Sequence, residues 1–377
     1  MTRSDRGWSV WLGCTLFFMT LSYVASTSPT LPALALSEGY SPAEVGLLVA
    51  APALVLGLLA SPPPYPRFAT GARLPLLTAG AFAVLPLLYA LAGDFWHLLA
   101  LRVLHGLVLA MVGAVAVSSL GSLQGSRGRG YYGVGQLAAW SVAPPAAGFL
   151  AERAGAFSAL LMSSTSGLLA CLGLAIFLAG RAPLVDEERA PEVGESVALL
   201  PLFAVVGLLD GFLLVDMRDL GVGSLEAGVV LGGVALLLGL AVLAGRRYPR
   251  LAEAPQEVSV SGLLLATAGL AALGLVANVP ALGIAAVCLA LGLGLTRSAF
   301  RPVAMPAGKR YVVGKAIRDG SALAYALGAI CGGVGATLAG GTSTFLLAAI
   351  VLACLGLVLA LRNALVGTGA AFRRSGG

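Results

Sequence analysis

Between Trp8 and Leu361 the chain is a succession of long apolar runs, cut by short polar or Pro/Gly-rich stretches. About 20 apolar residues is the length an α-helix needs to cross a bilayer. Divided at those stretches, the first six runs are Trp8–Leu36, Ala43–Ala60, Leu74–Ala92, Phe95–Leu120, Tyr131–Ala151 and Phe157–Ala179. The second six are Val197–Asp216, Leu225–Ala244, Val260–Ala277, Ala281–Phe300, Ser321–Ala339 and Thr344–Leu361. Twelve spans take roughly 240 residues, so a chain of 377 holds them only if most connections are short. The expected fold is an all-α membrane protein with twelve transmembrane helices.

Charge supports that reading. Only 11% of residues are charged and 58% are apolar, against about 25% charged in soluble domains. A water-soluble chain this apolar would expose large sticky patches. With both termini placed in the cytoplasm, 20 of the 23 Lys and Arg fall on the cytoplasmic side, counting Arg297 at the inner end of the tenth run. Arg153 and Arg218 fall on the other side, and Arg102 is left inside a span. This is the asymmetry expected of cytoplasmic loops, and it predicts a multi-pass protein of the cell membrane. Arg3 and Arg6 precede a first run too long for a signal-peptide core, so that run is expected to be a true helix. The net charge of +6 is therefore topological and implies no nucleic-acid partner. The five cysteines are scattered through apolar runs, without the spacing of a metal site or a paired framework, and are expected to be small buried side chains. No cofactor is implied.

The two sets of six are related. Glu44-Val45-Gly46-Leu47 opens the second span, and Glu226-Ala227-Gly228-Val229 opens the eighth, 182 residues later. The stretch between the sets, from Arg181 to Ser196, carries five acids and two prolines. The expected organisation is a bundle over residues 1–180, a linker over 181–196 and a second bundle over 197–377. Parallel repeats of this kind are one architecture of secondary transporters.

Three residues stand out at membrane depth, where charges are costly and persist mainly when they pair or line a watery cavity. Arg102 and Asp210 each lie roughly 10 Å inside their spans at 1.5 Å per residue. His105 is one turn from Arg102 on the same helix face. Asp210 is expected to take and release the coupling proton, with Arg102 stabilising its charged form in one state. His105 is a further group able to change protonation in the physiological range. A static buried ion pair or a snorkelling arginine is the alternative. Tyr23 and Ser26 on the first span, and the i, i+4, i+8 stripe Tyr132, Gln136 and Trp140 on the fifth, are candidates for lining a substrate cavity. Interface anchoring and interhelical hydrogen bonding explain that stripe equally well. Gly308-Lys309 and Gly314-Lys315-Ala316 lack the spacing of a phosphate loop. Nothing suggests an ATPase or an enzyme.

Leu98, Arg102, His105 and Gly106 follow the order of a helix-4 motif of the major facilitator superfamily, with His105 where Gln is usual. Gly130, Ala139, Ala143, Pro144, Ala147 and Gly148 are similar to its helix-5 motif, with three glycines replaced by alanine. On these residues the chain resembles that superfamily over nearly its whole length. The helix-5 motif implies a proton-coupled antiporter, drug exporters included. Gly106, Pro144 and Gly148 are then gating positions. The loop after the second span keeps Arg67, Gly71 and Arg73 of the family pattern but lacks its acid. The resemblance implies alternating access, a small-molecule substrate exchanged against protons, and a monomer. The reading is a proton-coupled exporter of small apolar or cationic compounds. A proton-linked or passive importer of a polar metabolite such as a sugar or nucleoside, or a non-transporting receptor or scaffold, remains an alternative.

Overall fold

The computed structural model describes residues 3–59, 73–122, 126–180, 200–247, 255–275, 278–299 and 307–375. Every regular element among them is helical. In chain order they are α1 (Arg3–Thr27), α2 (Thr30–Ser37), α3 (Pro42–Leu59), α4 (Arg73–Tyr89), α5 (Phe95–Ser122), α6 (Ser126–Ala154) and α7 (Ala156–Gly180). Then come α8 (Leu200–Leu208), a π-helical turn (Leu209–Leu213), α9 (Leu214–Asp219), α10 (Ser224–Arg247), α11 (Pro255–Leu275), α12 (Val279–Ala299) and α13 (Ala307–Ser375). Seven helical stretches among the described residues are long and apolar enough to cross a membrane. Large aliphatic side chains also cover the outside: Leu77 is 71% exposed, Ile284 69% and Leu338 80%. A surface of that kind is stable against lipid tails, not water.

The elements follow the apolar runs with two informative departures. The predicted first span breaks at Ser28–Pro29 into α1 and α2. Pro29 and Pro32 bring no N–H; a proline is compatible with a first helical turn but interrupts the interior of a helix. The seventh span contains the π-turn, with Asp210 inside it. The last two spans lie within α13 as two helices that part at Gly340, where the backbone is non-helical with a φ of 79° that favours glycine. The 181–196 linker lies outside the described residues. The cysteines are also placed differently from expectation: Cys14, Cys331 and Cys354 are exposed, and Cys171 and Cys288 are intermediate. In a bilayer the outside of a helix is apolar too, so a small apolar residue gains no reason to turn inward.

By contact the chain divides into two compact units, Met1–Gly232 with Pro302–Leu338, and Gly233–Arg301 with Ala339–Gly377. The first holds Arg102, His105 and Asp210. Its core pairs small residues with large: Ala139, Ala143 and Ala147 on α6 are fully buried against Leu21 and Val24 on α1. In the second unit, α11 and α12 pack backbone to backbone through Gly262, Gly269 and Gly292. Small residues permit such approach, and close approach is what holds helices together once lipid removes the hydrophobic drive.

Side-chain caps fix several helix starts, that of α12 by Asn278 Oδ1, which accepts the Ala281 N–H at 3.0 Å. Ser41 and Glu44 form a reciprocal cap at the start of α3: the Ser41 N–H donates to Glu44 Oε2 at 2.7 Å, and the Glu44 N–H to Ser41 Oγ at 3.3 Å. Asp94 caps α5, its Oδ1 accepting the N–H of His97 at 2.8 Å. That N–H, reinforced by the His97 ring, holds the Asp94 carboxyl below the usual carboxylate range. The cap therefore survives mild acid and fails only as the pH falls through this lowered value. Replacing Asp94 by Ala removes the cap and should lower the thermal-unfolding midpoint in detergent at neutral pH. The difference from the parent protein should vanish in strong acid.

Candidate functional site

Arg102 is 0% exposed and yet, among the described residues, makes no ion pair. Its environment comes from an absence elsewhere in the chain. Pro52 sits inside α3 and has no N–H, so the carbonyl of Leu48, four residues earlier, loses its helical donor. Arg102 supplies one: Nε donates to Leu48 O at 2.9 Å. One turn further along α5, Gly106 lies against Pro52 and Val55, with no room for a side chain. The proline frees the carbonyl, and the glycine brings α5 near enough for the arginine to use it.

The remaining contacts of Arg102 are hydroxyls and rings. Nη1 donates to Thr27 Oγ1 at 3.2 Å and to Tyr89 Oη at 3.3 Å. The guanidinium carbon lies 5.9 Å from the ring centre of Tyr23 and 5.7 Å from that of Tyr89, within cation–π range. Tyr89 is also hydrogen-bonded to Nδ1 of His105. His105 is fully buried, edge-on to Phe82 at 5.0 Å and to Tyr23 at 5.4 Å. Nη2 of Arg102 and Nε2 of His105 have no hydrogen-bond partner among the described residues.

Asp210 lies on the opposite half of the sequence and is 4% exposed. The π-turn that carries it adds a residue to the helical ring, a local distortion often found at functional positions. Its partner is Tyr325 on α13, whose hydroxyl donates to Oδ2 at 2.7 Å. Each charge thus has its own tyrosine hydroxyl, Tyr89 for Arg102 and Tyr325 for Asp210, and no ion pair joins the arginine to the acid among the described residues.

The other predicted residues are placed as follows. Tyr23 belongs to this cluster, whereas the Ser26 hydroxyl turns back onto the Tyr23 carbonyl at 2.9 Å. Gln136 and Trp140 are both half-buried on α6, and Trp140 packs on the core formed by α1 and α6. Tyr132 is on the same helix, but its side chain lies outside the described residues, as does that of Arg73 at the start of α4. Arg67 and Gly71 lie wholly outside them. Pro144 and Gly148 face α10: Gly228 packs on the Pro144 carbonyl, and Gly148 on Ser224. Four partners are not foreseen from the sequence: the Leu48 carbonyl, Thr27, Tyr89 and Tyr325. Of these, only the first left a signal, the proline four residues downstream.

The repeat 182 residues apart marks equivalent contacts. Immediately before Glu44, the Ala43 N–H donates to Thr337 Oγ1 on α13 at 3.1 Å. Immediately before Glu226, the Leu225 N–H donates to Glu152 Oε2 on α6 at 3.0 Å. Two residues after each glutamate, Gly46 packs on Ala329 and Gly333, and Gly228 on Pro144. Each repeat thus starts a helix that crosses a helix of the other half.

The sequence profile of the Major Facilitator Superfamily matches residues 10–318. The chain belongs to that superfamily. The fold agrees with it. A transporter of the POT family, solved with a thioalcohol-conjugated peptide, aligns with a TM-score of 0.74 at 12% identity, covering 95% of this chain and 96% of that one. A bacterial homolog of the human lysosomal transporter Spinster, in an inward-facing and occupied conformation, gives 0.69 at 17% identity over 96% and 98%. The human organic anion transporter MFSD10 (TETRAN) gives 0.58 at 16% identity over 95% and 100%. A search of curated proteins finds no match. At these identities the structural likeness establishes the fold. Membership of the superfamily makes the protein a multi-pass membrane transporter.

Two substitutions test the site of this superfamily member. Pro52→Ala returns an N–H to the Leu48 carbonyl, which should compete with Arg102 and reduce transport several-fold with little loss of thermal stability. Glu152→Ala removes the acceptor at the start of α10, worth about 1 kcal/mol. It should shift the population about fivefold toward the form in which these helix ends part, read as spin-label distances between the C-terminal end of α6 and the N-terminal end of α10. Glu152→Gln should shift it less, because an acceptor remains.

Proposed function

We propose that the protein is a secondary active transporter that exports small apolar or cationic compounds in exchange for protons. The observation that carries this reading is Asp210, a nearly buried acid held by a neutral hydroxyl. Such a carboxyl can hold a proton or a cationic substrate but not both, and that competition is the basis of exchange. Arg102, on the other half, is a permanent cation whose approach favours the ionised form of Asp210 and so drives proton release. His105 tunes this cluster through Tyr89. Tyr23, Ser26, Tyr132, Gln136 and Trp140 line the substrate path.

In the proposed cycle the bundles 1–180 and 197–377 rock against each other, connected by the 181–196 linker. Gly106, Pro144 and Gly148 allow the crossings to open and close, and the Arg67, Gly71 and Arg73 loop steadies the inner side. The transporter works as a monomer in the plasma membrane with both termini in the cytoplasm, and its cycle involves no bond-making chemistry. A second reading is favoured by Nη2 of Arg102, which lacks a partner among the described residues: a substrate with an anionic group would supply the missing counter-charge.

Reconstitution in liposomes with an imposed pH gradient separates these readings. Ethidium, a lipophilic cation, should move against the gradient with the parent protein. Asp210→Asn should lower that flux at least tenfold and remove its dependence on pH. Intact pH-driven flux in both Asp210→Asn and Arg102→Ala would refute the proton-coupling reading. Flux of fluorescein-type anions, lost in Arg102→Gln and kept in Asp210→Asn, would favour the second.

A further inference from the structure

We propose that Tyr325 is the positioning residue of the proton site, its hydroxyl orienting the Asp210 carboxylate and setting the pH at which that carboxylate takes a proton. The inference rests on Asp210 as the proton carrier and adds the group that governs it.

The first support is geometric. The phenol donates to Oδ2 at 2.7 Å, the usual separation of a well-formed O–H···O bond. The second support is the way the two helices are locked. Gly207, one turn before Asp210, packs directly on the backbone carbonyl of Tyr325. Gly328, one turn after Tyr325, packs in the same way on the carbonyl of Ala204. Gly211 lies against Ala329, where a side chain would stand 3.2 Å from its backbone. These contacts leave neither helix room to slide or rotate past the other, so the hydroxyl is held on the acid by backbone packing. Both helices belong to the half after residue 197.

The third support is the contrast with the other charged and titratable neighbours. Tyr23 comes from α1 and Arg102 from α5, both in the half before residue 181, and His105 lies behind Tyr23. From α3, which also packs on the π-turn, the titratable side chain is Glu44 at the outer end, engaged with Ser41. On the same helix, Asp216 and Arg218 lie more than a turn further on. When the halves rock, Tyr23 and Arg102 change their distance from Asp210, whereas Tyr325 travels with it. Tyr325 therefore supplies the constant part of the proton affinity and the other half supplies the part that varies. A donor to the ionised carboxylate stabilises that form, so Tyr325 keeps the acid able to release its proton.

The test uses the full chain in lipid nanodiscs and needs no substrate. Infrared difference spectra across a pH titration report the carboxyl C=O stretch, and the Asp210 band is the one lost in Asp210→Asn. Tyr325→Phe removes one oxygen and should move the midpoint of that band toward alkaline pH by about one to two units. Placing 3-fluorotyrosine at position 325, a stronger donor of nearly the same shape, should move it toward acid. An unmoved midpoint in both variants would overturn the inference, as would shifts in the opposite sense. A merely structural role would lower the thermal midpoint and leave the titration in place. Proton-coupled flux that persists in Asp210→Asn would instead remove the transport reading, even where Tyr325 proves to control the titration.

Discussion

The organising constraint is the cost of carrying a permanent charge inside a bilayer without an opposite charge beside it. Arg102 meets that cost with dipoles and rings: a helix carbonyl, two hydroxyls and the faces of two tyrosines. Much of the first unit can be understood outward from this need. Pro52 is placed so that a carbonyl is available, Gly106 so that the helices touch at that level, and Thr27 sits just before the break between α1 and α2. Among the described residues no carboxylate neutralises the cation, and Asp210 is held instead by the Tyr325 hydroxyl.

Close backbone approach is the second recurring device, and it serves two purposes. Between α8 and α13, paired glycines lock helices of one half together and hold Tyr325 on Asp210. Between α3 and α13, and between α6 and α10, similar glycines lie at crossings between halves, each beside a single hydrogen bond to a helix start. Both kinds of contact are reciprocal and extend over about a turn or more: Gly46 and Gly333 face each other, as do Gly148, Gly228 and Gly232 with the residues opposite them. What sets the crossings between halves apart is the side-chain hydrogen bond to a helix start beside each of them.

Much of the site was legible in the chain because charge at membrane depth is so rare. Arg102 and Asp210 announce themselves by type and position, and the Glu44/Glu226 repeat points to the two crossings. The uncharged half of the site was not legible. Tyr89 and Tyr325 resemble any interfacial tyrosine until the fold shows which charge each hydroxyl meets. Ser26 and Thr27 are neighbours of one kind in the sequence, yet Ser26 bonds only its own helix while Thr27 also receives Arg102. The kinks show the same division. Pro29 signals a break, but the π-turn at Leu209–Leu213 has no marker in its residues.

Taken alone, the sequence determined that this chain must be a helical membrane protein, because apolar runs of spanning length have no other stable solution when backbone groups must be satisfied within each helix. It also singled out the two charges that such a protein would not carry idly. Only the tertiary structure decided how those charges are held: apart from each other, one on a carbonyl freed by proline, the other under a tyrosine from a distant helix. Local pattern dictates helices because helical hydrogen bonds are local. Partners more than a hundred residues apart, such as Asp210 and Tyr325, are set by which backbones can approach, and that depends on the small residues of two helices at once.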